Sequence, residues 1–152
     1  MSKATKIILA CVAGFLLLCC GGGALVVMGG FNAYKGLGAE TIQLGDDAVP
    51  AICKSWDVDA LLKLSGPDMQ KTPRIELDSI FSAWKTEYGA YQSGSGSMTS
   101  FNSSATTSTG RSTTATYQND ATFEKGQALI TIVYKKVEPG DWKISAFNVV
   151  KR

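Results

Sequence analysis

The stretch 130-ITIVYKKVEPGDWKISAFNVV-150 decides the fold. Together with the two residues before it, 128-ALITIVY-134 is apolar on both parities, which predicts a central strand covered on both faces. Glu138-Pro139-Gly140-Asp141 then supplies a Pro-Gly turn. The run 142-WKISAFNVV-150 follows as a partner strand, with Trp142, Ile144 and Ala146 expected on one face and Phe147 and Val149 on the other. One strand earlier, Ala115, Tyr117, Ala121 and Phe123 share a parity against Thr114, Thr116, Gln118, Asp120 and Thr122. That alternation predicts a half-buried strand, closed by a turn at Glu124-Lys125-Gly126.

Upstream of these strands the chain turns hydroxyl-rich. Fifteen of the twenty-four residues from Ser93 to Thr116 are Ser or Thr, a composition shared by disordered linkers and O-glycosylated stalks. Threonine also suits the solvent face of a pleated sheet, and Gly110 offers a hairpin turn. Two exposed strands are therefore expected here, the second overlapping the half-buried strand at Thr114–Thr116, and four antiparallel strands are expected in all.

Helical signals precede the strands. Ile42, Val49, Ile52 and Trp56 fall near helical spacing between Ala39 and Ser55, with Pro50 as a kink or restart. A two-turn helix follows, with Asp57 as N-cap, an apolar face of Val58, Leu61, Leu62 and Leu64, and Gly66-Pro67 as its stop. The third has Thr72 as N-cap, Pro73 at the first helical position, the stripe Leu77, Ile80, Phe81, Trp84, Tyr88, and Gly89 as terminator. Helices first and antiparallel strands after predict an α+β domain.

Ahead of that domain, Ile7 to Phe31 is a run of twenty-five residues without a charge. As a helix it would reach roughly 37 Å, enough to cross a bilayer. Its pair Cys19-Cys20 lies near the middle, and the apolar stretch before Cys11 is too short for a lipoprotein signal. Lys3 and Lys6 precede the run and place the amino terminus inside. The expected layout is a cytoplasmic segment 1–6, a transmembrane helix 7–31, a linker 32–38 and an extracytoplasmic domain 39–152. The expected location is the plasma (inner) membrane, crossed once.

Composition narrows function by exclusion. The formal charge of +2 comes from Lys3 and Lys6, so residues 32–152 are charge-balanced and give no reason to expect nucleic acid. The chain has no histidine, and its cysteines show no metal-ligand spacing. No metal and no cofactor is expected. Cys53, the one cysteine beyond the apolar run, reads as a small buried hydrophobe.

Three features carry a resemblance: the helix pair breaking at 56-WDVDALLKLSGPDM-69, the helix ending 84-WKTEYGAYQS-93, and the terminal hairpin 130–150. Together they resemble the nuclear transport factor 2-like, cystatin-like superfamily. A weaker similarity is to cytochrome oxidase assembly protein 1-like proteins. The first resemblance implies helices packed into the concave face of a curved four-stranded sheet, forming a cone. Enzymatic members of the superfamily, such as the ketosteroid isomerase-like ones, place acidic, tyrosine or histidine side chains inside that cone.

Here the strand acids Asp120 and Glu124 fall on the polar parity, so catalysis is not expected. The first expectation is a membrane-tethered interaction or assembly module that contacts an envelope membrane protein or complex. The alternative is a small apolar ligand held or sensed in the cone, lined by Trp84, Tyr117, Phe123 and Trp142. A side-chain-filled cone favours the first, and an open cavity with inward polar groups the second.

Overall fold

The computed structural model describes residues 36, 38–106 and 110–152, and the chain divides into two units, Met1–Gly38 and Ala39–Arg152. The expected cytoplasmic segment, transmembrane helix and most of the linker lie outside the described residues. Among the described residues no helix is long and apolar enough to cross a membrane.

The second unit is α+β: four helices, then a four-stranded antiparallel sheet in the order β1-β2-β3-β4. Helix α1 is described over residues 38–53, α2 is Val58–Leu64, α3 Pro67–Gln70 and α4 Arg74–Tyr88. The strands are β1 Tyr91–Thr106, β2 Gly110–Phe123, β3 Gly126–Val137 and β4 Lys143–Lys151. In the hydroxyl-rich segment β1 pairs antiparallel with β2, as its threonines suggested, and Gly110 takes a positive φ of 74° at the start of β2.

Local chemistry explains most element ends. Asp57 caps α2 by accepting from the backbone N–H of Asp59 at 2.8 Å and of Ala60 at 3.2 Å. Gly89, at φ 74°, ends α4. Helix α2 ends at Leu64, just ahead of Gly66-Pro67 as expected, and Pro67 also opens an additional single turn, α3, a place where a missing N–H costs nothing. Two expectations are corrected. Pro73 rather than Thr72 is the N-cap of α4, and it provides no side-chain cap. Helix α1 runs through Pro50 instead of restarting there, although proline has no N–H to offer the carbonyl one turn back.

Helix α1 ends in a Schellman arrangement. The N–H of Asp57 bonds to the carbonyl of Ile52 at 2.9 Å, and Trp56 occupies the left-handed position at φ 56°. A tryptophan there bears roughly 1–2 kcal/mol of steric cost that glycine would not. Its ring is only 6% exposed, so burial offsets that cost.

Alternation sets the core. On β2 every odd residue from Thr113 to Phe123 is buried, and on β3 Ala128, Ile130, Ile132 and Tyr134 are buried. The intervening β3 residues Leu129, Thr131 and Val133 are only half-buried, so β3 is central in the sheet but covered fully on one face. Their apolar character matches a half-covered sheet as well as a fully covered one. β4 also departs from simple alternation. A register irregularity, with Val133 opposite Ala146 and Tyr134 opposite Ile144, puts Ile144 on the same face as Phe147 and Val149. Ala146 is exposed, and Trp142 precedes the strand. The α4 stripe buries Leu77, Phe81 and Tyr88, while Trp84 is half-buried and Ile80 is 37% exposed.

Candidate functional site

The inner face of the sheet, on which the helices pack, is organised around Tyr117. Helix α1 approaches it through Gly45: a Cβ at that position would lie 2.5 Å from the ring carbons Cδ2 and Cε2 of Tyr117. On the other side, a Cβ at Gly96 of β1 would overlap the Tyr117 hydroxyl and Cζ. The ring therefore occupies a slot made by two missing side chains. Glycine at an edge strand is weak by itself, and a neighbouring aromatic ring laid over it restores the missing cover.

A polar chain runs from that ring. The Tyr117 hydroxyl donates to Asp46 Oδ1 at 2.5 Å and accepts from Asn119 Nδ2 at 2.9 Å. Burial, and then the bond to Asp46, hold the Tyr117 phenol well above its ordinary range, so it keeps its proton and acts as a donor. Two buried oxygens near this chain, Asn119 Oδ1 and Tyr134 Oη, have no hydrogen-bond partner among the described residues. Burial raises the Tyr134 phenol as well, with the carboxylates of Asp47 and Asp46 adding to the shift. Asp46 itself is exposed.

Aromatic clusters close the two ends of this face. At one end Trp56 stacks on Phe123 with centroids 5.4 Å apart, and it also meets Phe81, Trp84 and Tyr88. Its Nε1 donates to the carbonyl of Gly89 at 2.6 Å, tying the end of α1 to the end of α4. At the other end Trp142 meets Phe101 edge-on at 6.3 Å, and its Nε1 donates to Glu40 Oε2 at 3.2 Å. Helix α1 thus follows β2 lengthwise, meeting Trp142 through Glu40, Tyr117 through Gly45 and Asp46, and Phe123 through Trp56. Between the clusters Ile52, Leu61, Ile130, Ile132 and Ile144 are fully buried.

Comparison with protein-family models, curated proteins and solved structures returns no match. The site is therefore read from its own geometry.

Of the four residues expected to line one pocket, the structure brings together only Trp84 and Phe123, both against Trp56. Tyr117 lies mid-sheet and Trp142 in the opposite cluster. Asp46, Asn119, Gly45 and Gly96 were not anticipated. Asn119 carried a signal, since it falls on the buried parity of β2. The acids of the strands lie outside this network: Asp120 pairs with Arg152 at 2.6 Å, and Glu124 accepts from the backbone of Ala90 at 3.0 Å.

A cleft of about 370 Å³ opens elsewhere, between the α2–α3 junction and the β3–β4 hairpin. Pro67, Val137 and Ile144 give it apolar walls, with Asp68, Lys135 and Lys143 among its polar groups. Lys135 Nζ reaches Asp68 Oδ2 at 3.5 Å across it. Among the described residues no three metal-ligating side chains come together.

Proposed function

We propose that this chain is a membrane-tethered, extracytoplasmic interaction or assembly module without catalysis. Its domain is read as a variant of the nuclear transport factor 2-like, cystatin-like cone. The single observation that supports the module reading is the occupied inner face. Tyr117 fills the slot between Gly45 and Gly96, and rings close both ends. A domain whose concave side is filled by its own side chains offers its edges and outer face to partners. The carboxylate that meets Tyr117 is exposed rather than held in a water-excluded cavity, and the phenol it faces keeps its proton. That pair lacks the buried base that acid-base chemistry requires.

The reading is tested by purifying the full-length chain in mild detergent and analysing co-purifying proteins by mass spectrometry. A stoichiometric envelope membrane protein is expected. Recovery of the chain alone would count against the module.

A second reading, small apolar ligand binding, is favoured by the cleft beside the β3–β4 hairpin rather than by the cone. Native mass spectrometry of the same preparation would show a bound small molecule, lost on Val137→Lys, a change at an exposed wall of the cleft.

A further inference from the structure

The sheet has two edges, and they are treated differently. β4 is guarded: lysines stand at both ends, and Ser65-Gly66 lies along its start, with Gly66 N–H donating to the Ile144 carbonyl at 2.9 Å. Such charges and coverings are how proteins keep sheet edges from pairing. Among the described residues β1 has neither guard. From Tyr91 to Gly110 the chain carries no charged residue and no proline, and among the described residues no strand lies beyond β1.

Register irregularities occur between Tyr91 and Ser93 and between Met98 and Ser100, which leaves Ser93–Met98 as a regular run about 20 Å long. Ser93, Ser95 and Ser97 on it are exposed, and Gly96 is backed by the Tyr117 ring. The run is thus regular in register, backed from within by Tyr117, and not paired to another strand beyond β2 among the described residues.

We propose that this run pairs with the same run of a second copy of the chain, antiparallel about a two-fold axis at Ser95, to join two sheets into one. The proposal rests on the interaction-module reading and names its first partner. Two observations select a second copy over another strand. About that axis Ser95 meets itself, Gly94 meets Gly96 and Ser93 meets Ser97, so a charge on the run would lie close to its own copy, and this edge has none. The hydroxyls are also self-complementary. Along the β1–β2 seam Ser100 donates to Thr116 Oγ1 at 2.8 Å, and Ser103 and Thr113 share a bond of 3.2 Å. A second β1 brings the same groups.

The test uses the full-length chain in detergent micelles, with Cys11, Cys19 and Cys20 replaced by serine and the buried Cys53 retained. Opposed residues of an antiparallel pair have Cα atoms about 4.5–5.5 Å apart, within disulfide reach. Mild oxidation of Ser95→Cys is expected to give a covalent dimer, whereas Asn148→Cys on β4 stays monomeric. Light scattering should give a dimer for the parent chain and for Ser95→Thr, and at least tenfold weaker association for Ser95→Lys with an unchanged circular dichroism spectrum. A monomeric parent chain, or cross-linking at Asn148→Cys equal to that at Ser95→Cys, would overturn the proposal. A monomer that still captures an envelope protein overturns the second copy and leaves the module reading standing. A β1 dimer that captures nothing supports the pairing and counts against the envelope partner.

Discussion

Tyr117 concentrates three demands in one side chain: a large ring on a crowded face, a hydroxyl that must be bonded, and an exit toward Asp46. Removing only the hydroxyl, in Tyr117→Phe, strands the Asn119 amide and frees Asp46. The expected loss is about 1–3 kcal/mol of unfolding free energy, read from urea titration. Gly96→Ala attacks the same slot from the other side and should cost a similar ~1–3 kcal/mol through overpacking. Gly96 spares Cζ and Cε2 as well as the hydroxyl, so Gly96→Ala combined with Tyr117→Ala, which removes the whole ring, should cost less than the sum of those two changes made singly. Strict additivity would show that the slot is not the shared cause. Sequence alone makes the partnership hard to read. Gly96 and Tyr117 are far apart along the chain, and only pairing of β1 with β2 brings the missing Cβ under the ring. Asn119 was within reach, because a polar residue on a buried parity asks for a partner wherever that partner comes from.

At the scale of elements, the end of α1 is the most informative junction. A glycine at position 56 would have been the ordinary choice for a left-handed cap, and the chain uses tryptophan because that ring seats α4 and β2 together. Trp56→Ala should cost about 3–5 kcal/mol. Trp56→Gly loses the same ring yet relaxes the backbone, so it should be more stable than the alanine variant by about 0.5–1 kcal/mol. The reverse order in chemical denaturation would remove backbone strain from the account.

Helix existence was legible from periodicity and from caps such as Asp57 and Gly89, which act within a few residues. Face assignments failed where a long-range feature intervened. The irregularity opposite Tyr134 shifts β4 by one residue, and nothing local to 142-WKISAFNVV-150 announces it. The apolar reverse face of β3 misled for a different reason: Leu129 and Val133 are compatible with half-burial, so hydrophobicity overstated coverage.

Taken as a whole, the domain buries several groups that must stay neutral, and this sets its response to base. Burial holds the Cys53 thiol far above its ordinary value of 9.0, and the Tyr117 and Tyr134 phenols above their ordinary 10.0. In the unfolded chain these groups release protons once pH passes those ordinary values, while in the folded chain they keep them. The unfolded state then binds fewer protons, so stability is complete below pH 9.0 and falls as pH rises beyond it. Each group adds a slope of up to about 1.4 kcal/mol per pH unit. Denaturation midpoints measured from pH 8 to 11 should decline from about pH 9, and Cys53→Ala should delay the decline toward pH 10. A flat profile would mean that these groups meet water in the folded state. The α+β class and the four antiparallel strands were readable in advance. The division of the four expected pocket residues among three places was not, because burial on one face does not say which buried residues share a neighbourhood.

The arrangement of the rings also makes the molecule an optical instrument for watching itself. Trp56 and Trp84 sit in one cluster and Trp142 in the other, where the Glu40 carboxylate accepts a hydrogen bond from its indole N–H and Lys136 lies 5.9 Å from its ring. Emission from a Trp142-only chain reports the hairpin end of the sheet, and emission from a Trp142→Phe chain reports the helix-junction end. Loosening that began at one end would therefore appear in one spectrum before the other.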